Sequence, residues 1–165
     1  MDPKPPAIAG VEERHVRVAG HGMRYLTCGS GPPLVLLHGL LGYSFSWRFN
    51  YAALSQVATV YAPDALGSGF SERALHLDCS LKGMAERTLE FMDALGLRDA
   101  DLLGTSHGGA VAAVAAALDQ ERGGARIGSL LLVDAVNPWS RRGRILVPFL
   151  ASPAGRLLPW AARRL

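Results

Sequence analysis

Leu102-Leu103-Gly104-Thr105-Ser106-His107-Gly108-Gly109 contains the pattern Gly-x-Ser-x-Gly, and its surroundings decide how the whole chain is read. The bare pattern is weak, but here an apolar run, Ala100–Thr105, precedes it, and an alanine-rich run, His107–Gln120, follows it. The first has strand character and the second helix character. A serine at a sharp strand-to-helix turn is held in a strained backbone conformation that pushes its Oγ into the open. Glycines are needed on either side because strand and helix approach closely there and a Cβ would clash. The positive end of the following helix favours negative charge beside the serine. Ser106 is therefore the candidate nucleophile.

Outward from the turn, strands and helices alternate. Before it come two short β-like runs, Arg14–Val18 and Met23–Cys28, around the turn residues Ala19-Gly20-His21-Gly22. Leu34-Val35-Leu36-Leu37 is a continuous apolar run suited to a strand covered on both faces. A helix is expected around Ser46–Gln56, a buried strand over Val57–Ala62, and a Gly- and Ser-rich loop over residues 65–79. From Leu81, apolar residues fall on one helical face through Met84, Ala85, Thr88, Leu89, Met92 and Leu95, and Gly96 supplies the stop. Ser129–Val133 reads as a last strand. The pattern predicts an α/β fold: a three-layer α/β/α sandwich, its sheet mostly parallel, with an antiparallel N-terminal hairpin at one edge. The expected domain organisation is a flexible leader over 1–13, a core over 14–139, and a distinct tail over 140–165. The tail's prolines and arginines suggest short amphipathic helices, either the start of a cap or a lid that touches an acyl substrate or a lipid surface.

Two further glycine-rich turns sit at strand ends. His38-Gly39-Leu40-Leu41-Gly42 follows the Leu34–Leu37 strand. An acyl-transfer site needs backbone N–H donors aimed at a developing oxyanion. The N–H of His107 and that of Leu40, in the His38-Gly39 loop, are the candidates. Pro63-Asp64-Ala65-Leu66-Gly67-Ser68-Gly69-Phe70-Ser71 has neither the lysine of a P-loop nor the third glycine of a dinucleotide fingerprint, so both are rejected.

In this order the three motifs resemble the α/β-hydrolase superfamily, in its capped single-domain serine hydrolase branch. The resemblance covers roughly residues 14–140, so the fold is expected to be the N-terminal, incomplete part of that architecture. It implies Ser106 as nucleophile, with Leu40 and His107 donating to the oxyanion through backbone N–H. It also implies hydrolysis of a carboxylic ester or related acyl bond through an acyl-enzyme. A serine at this position argues against the family's epoxide hydrolases and haloalkane dehalogenases, where an aspartate is expected. The family order is serine, acid, histidine. No histidine follows His107, and His15, His21, His38 and His76 all precede Ser106. Asp134, just past the last strand, is where some members keep the acid. The chain therefore reads as cut short of its triad, with little or no esterase activity expected. The alternatives are a non-catalytic binding module or a fragment that needs a complementary chain.

Composition bounds the rest. With 165 residues, 49% hydrophobic, the chain can bury a core, and a net charge of +3 without an aromatic–basic platform does not suggest a nucleic-acid partner. Cys28 and Cys79 lack metal-ligand spacing, and no cofactor or metal motif is present. The run Leu102–Leu118 is interrupted by glycines and is not read as a membrane span. The polar, proline-rich start carries no apolar signal region, so a cytoplasmic location and a small-molecule acyl substrate are the expectations.

Overall fold

The computed structural model describes residues 5–137; the expected cap or lid region over 140–165 lies outside them. Six strands form one sheet in the order β1-β2-β4-β3-β5-β6. These are β1 (Glu12–Val18), β2 (His21–Cys28), β3 (Pro33–Leu37), β4 (Thr59–Pro63), β5 (Ala100–Thr105) and β6 (Ile127–Val133). The β1–β2 hairpin is antiparallel and sits at one edge, β2 pairs antiparallel with β4, and β4, β3, β5 and β6 run parallel. The helices are α1 (Tyr51–Leu54), α2 (Leu81–Ala94) and α3 (His107–Glu121).

Period-two alternation divides the core between the two faces of the sheet. Val35 and Leu37 of β3 join Leu102 of β5 and the apolar faces of α2 and α3 in one cluster. Leu34 and Leu36 point the other way and pack with Tyr51, Val60 and Ala62, near Trp47 and Leu54. This explains the unbroken apolar run in β3: as a central strand it has no solvent face. The side chain of Ser80 caps α2 by accepting from Gly83 N–H at 3.1 Å. Gly96, at φ 66°, turns the chain out of α2 where the sequence placed the stop.

Two segments differ from expectation. The first strand begins at Glu12 rather than Arg14, and Ile8 and Val11 pack against the second cluster, so the leader is tied down from Ile8 onward. Glu13 pairs with Leu26 in the hairpin, and its carboxylate accepts Arg24 Nη2 at 2.9 Å. The helix expected over Ser46–Gln56 is a 3₁₀ turn, Ser44–Trp47, followed by the single turn α1. Its bonds run i to i−3, from Ser46 to Tyr43, Arg48 to Phe45 and Asn50 to Trp47. The Tyr51 hydroxyl also donates to the buried Ser44 carbonyl at 2.7 Å, which draws the segment into a compact loop.

Among the described residues no strand pairs with the outer side of β6. Leu130, Leu131, Leu132 and Val133 of β6 are 39–48% exposed. Beside it, Asp119 of α3 is buried and receives Arg126 Nη1 at 2.7 Å and the N–H groups of Arg126 and Ile127, each at 3.2 Å. Burial opposes the charge of Asp119, but the Arg126 guanidinium and these amides outweigh it and lower its pKa. Asp93, on the same guanidinium, is lowered as well. A carboxylate depressed on folding stabilises fully above its unfolded value, about 3.9, and loses that contribution as pH falls through the lower folded value. Acid unfolding of the wild type should therefore steepen below about pH 4. In Asp119→Asn the curve should be shallower there and start from a lower plateau. Denaturant melts across that range check this.

Candidate active site

The elbow is built from glycines whose replacement the backbone forbids. A Cβ on Gly104 would stand 2.4 Å from the Gly108 carbonyl oxygen, and one on Gly108 would stand 2.4 Å from that of His38. A Cβ on Gly109 would meet Ala135 at 2.5 Å. Strand β5, helix α3, the β3 end and the chain after β6 thus converge on one point. There Ser106 takes φ 52°, ψ −120°, a left-handed backbone for a residue with a side chain, which costs about 1–3 kcal/mol. Its N–H donates to Val133 O at 3.1 Å, and its carbonyl accepts from Gly109 and Ala110. The surroundings fix the strained turn through the backbone and leave the side chain out of it: Ser106 is half-buried, and among the described residues its Oγ has no hydrogen-bond partner.

The His38–Gly42 loop lies against this serine. A Cβ on Gly39 would be 3.3 Å from Ser106 Cβ and 3.8 Å from its Oγ. Glycine at this position keeps the space beside the hydroxyl open. Among the described residues, neither the Leu40 nor the His107 N–H meets an acceptor. His38 is buried and shapes the loop: its Nδ1–H donates to Gly39 O at 2.8 Å, and Nε2 accepts the Ala65 N–H at 3.1 Å. Both ring nitrogens are committed to the backbone, so His38 is not available as a base for Ser106.

His107 starts α3, and its side chain lines a cleft with Met23, Leu40, Leu66, Met84 and Phe91. Burial, with a smaller contribution from His38, lowers its pKa below the ordinary histidine value. The cleft touches Gly39, Leu40, His107 and Gly108, which flank Ser106, but its lining does not include Ser106 itself. Of the remaining histidines, His21 is held by Glu72 at 2.7 Å, and His15 and His76 are exposed elsewhere. Asp134 directly follows Val133, the acceptor of the Ser106 N–H; it is exposed, with φ 45°. The structure thus brings Ser106, Gly39, Leu40 and His107 together, and places Asp134 one residue beyond the strand end that contacts the elbow. No described group of His, Cys, Asp and Glu could hold a metal ion, and no described helix is long and apolar enough to cross a membrane.

The Pro63–Ser71 turn owes its shape to a residue that the sequence reading did not single out as its partner, Arg24. Asp64 is fully buried and accepts from Ser44 N–H at 2.7 Å, Phe70 N–H at 2.9 Å and Arg24 Nη1 at 3.0 Å. Ser71 Oγ donates to Asp64 O at 2.6 Å and accepts the Arg24 N–H at 2.8 Å. A Cβ on Gly69 would stand 2.3 Å from Asp64 Oδ2. Gly69 therefore leaves room for a buried carboxylate rather than a phosphate, while Gly67 faces open space. Burial opposes the charge of Arg24, while Glu13 and Asp64 more than offset it and raise its pKa. The ion pair ties β2 to the loops on both sides of His38. No local sequence signal marks Arg24 as an interior residue; its burial comes from the neighbouring strands and loops.

A family model described as alpha/beta hydrolase fold matches residues 32–161. A soluble epoxide hydrolase of Corynebacterium sp. (strain C12) is 36% identical over 102 residues, 62% of this chain and 35% of that protein. A 2-hydroxymuconate semialdehyde hydrolase of Pseudomonas sp. (strain CF600) is 32% identical over 113 residues, covering 66% and 40%. Among solved structures, a membrane phospholipase A described as a bacterial virulence factor superposes with a TM-score of 0.73 at 33% identity, over 78% of this chain and 41% of that one. The chain thus spans well under half the length of these relatives. With the family match running through most of its residues, and with the strained serine set between sheet and helix, the chain belongs to the α/β-hydrolase fold family.

Proposed function

We propose that Ser106 is the nucleophile of a serine hydrolase acting on a carboxylic ester or related acyl bond, with Leu40 and His107 N–H receiving the oxyanion. The observation that carries this reading is the Ser106 conformation, φ 52° at the head of α3, with the hydroxyl unengaged beside Gly39. The attack would form an ester between Ser106 Oγ and the acyl carbon, with the hydroxyl proton leaving on the departing group, and water would then hydrolyse that ester, releasing the carboxylic acid and restoring the Ser106 hydroxyl. The N-terminus of α3 and the two unpartnered amides would stabilise the alkoxide. Among the relatives are hydrolases of other bonds, the epoxide hydrolase included. A serine hydroxyl rather than a carboxylate at the elbow favours acyl chemistry here.

A general base is what this set of residues lacks. None of the five histidines has a ring nitrogen bonded to Ser106 Oγ, and Asp134 is the acid candidate at the β6 end. The reading therefore assigns nucleophile and oxyanion donors to these residues and leaves proton transfer to groups outside this set. The loss of a triad member costs on the order of 10⁴- to 10⁶-fold in turnover. Purified protein of residues 1–165 should hydrolyse p-nitrophenyl acetate no faster than that deficit allows, and Ser106→Ala should remove the remainder. Turnover within tenfold of a complete esterase would refute the missing-base reading. The same missing base also favours a second reading, a binding module that keeps the elbow without turnover. That module would show no Ser106-dependent rate at all.

A further inference from the structure

The loops around the elbow end in a rim of exposed apolar and aromatic side chains. Leu41 is 87% exposed and Phe49 81%. Leu41 holds φ 61°, an unfavourable backbone for a leucine, and no burial offsets it. Leu41, Tyr43, Ser68, Phe70 and Arg73 line one groove. Tyr43 stacks on Phe45 at 5.9 Å and meets Phe70 edge-on at 5.8 Å. The Arg48 guanidinium lies over Phe45 at 5.0 Å and over Phe49 at 4.3 Å. Residues 38–50 contain no acidic side chain. The single one in 65–75, Glu72, is engaged by His21 and Gly22.

Aromatic rings interleaved with arginines, beside aliphatic tips, match the boundary between lipid headgroups and acyl chains. The arginines, without an opposing free carboxylate, specify the sign of the surface they meet. We propose that this rim docks on an anionic lipid surface, with Leu41 and Phe49 entering the acyl boundary and Arg48 and Arg73 meeting headgroup phosphates. The rim is continuous with the His38–Gly42 loop, so docking would bring the Ser106 side of the molecule toward the bilayer. Resting on the hydrolase reading, this makes a lipid ester the substrate class; the docking itself does not depend on that reading.

The test is flotation of residues 1–165 with phosphatidylcholine vesicles, with and without phosphatidylglycerol, at low and high salt. Binding should require phosphatidylglycerol and weaken with salt. Arg48→Glu and Arg73→Glu should each reduce binding at least about fivefold, from roughly 1 kcal/mol per arginine near such a surface. Phe49→Ser should reduce it in both salts. Leu131→Lys, on β6, should leave it unchanged. Far-UV circular dichroism and labelling of Ser106 by a water-soluble fluorophosphonate report folding and the nucleophile separately. Vesicle binding with Ser106 unlabelled would retain the docking surface and sink only the hydrolase reading. Labelling without vesicle binding, or binding that survives the rim variants and is lost in Leu131→Lys, would overturn the proposal.

Discussion

Asp64→Ala is expected to destabilise the fold by about 3–5 kcal/mol, the usual cost of leaving one partner of a buried ion pair uncompensated. The carboxylate is fully buried and answers three donors, two of them backbone amides from loops that no strand pairing holds. Removing it leaves Arg24, 1% exposed, with only Glu13 and the Ser44 hydroxyl, and orphans the Ser44 and Phe70 N–H groups. For a domain whose total stability is of order 5–15 kcal/mol, this is a large share. Urea melts of the variant should show a lower midpoint with little change in slope. Arg24→Met alone should cost less, since a carboxylate with two amide donors remains partly satisfied. Combined with Asp64→Ala, it should cost clearly less than the two added together, because the pair acts as a unit. Strict additivity would show that Arg24 and Asp64 do not depend on one another.

The second large effect falls on the site. Gly108→Ala places a methyl carbon 2.4 Å from His38 O and 2.5 Å from Leu37 O, both of them backbone atoms that cannot rotate away. Relief requires β3 and α3 to separate, and that moves the His38–Gly42 loop away from Ser106. Overpacking of this kind costs about 1–3 kcal/mol in stability. The reactive geometry should lose more: a displacement near 1 Å at a reacting centre can cost on the order of 10²-fold in rate. Labelling of Ser106 by a fluorophosphonate should therefore slow by about that factor in a variant that remains folded. Gly67→Ala is the control. It has a positive φ but open space around it, so it should perturb stability without touching the labelling rate.

These expectations also mark what could be read in the chain beforehand. Strand β5 and the first residue of α3 were legible to the residue, because an apolar run, two glycines and a serine can satisfy each other in few ways. The hairpin edge followed from the Ala19–Gly22 turn between two short β-like runs, and the parallel centre from the unbroken apolar run in β3 and the alternation of strands with helices. The break between Ser44–Trp47 and α1 was not legible, because it depends on Tyr51 reaching back to the Ser44 carbonyl, a tertiary contact. Nor was the Arg24–Asp64 pair, whose members are separated by 40 positions and joined through Ser44, Phe70 and Ser71. A charge within a strand reads locally as a solvent face; only the neighbouring strands make it an interior one. His38 was legible as a loop residue, and its two backbone bonds give the reason.

The account turns on a serine oxygen that backbone strain makes available to an electrophile. Intact protein should be incubated with a fluorophosphonate and the adduct mapped by peptide mass spectrometry, with Ser106→Ala alongside. The account predicts slow modification confined to Ser106, in preference to the other serines, and none in the variant. Equal modification of wild type and Ser106→Ala, or adducts spread over other serines with Ser106 untouched, would contradict it.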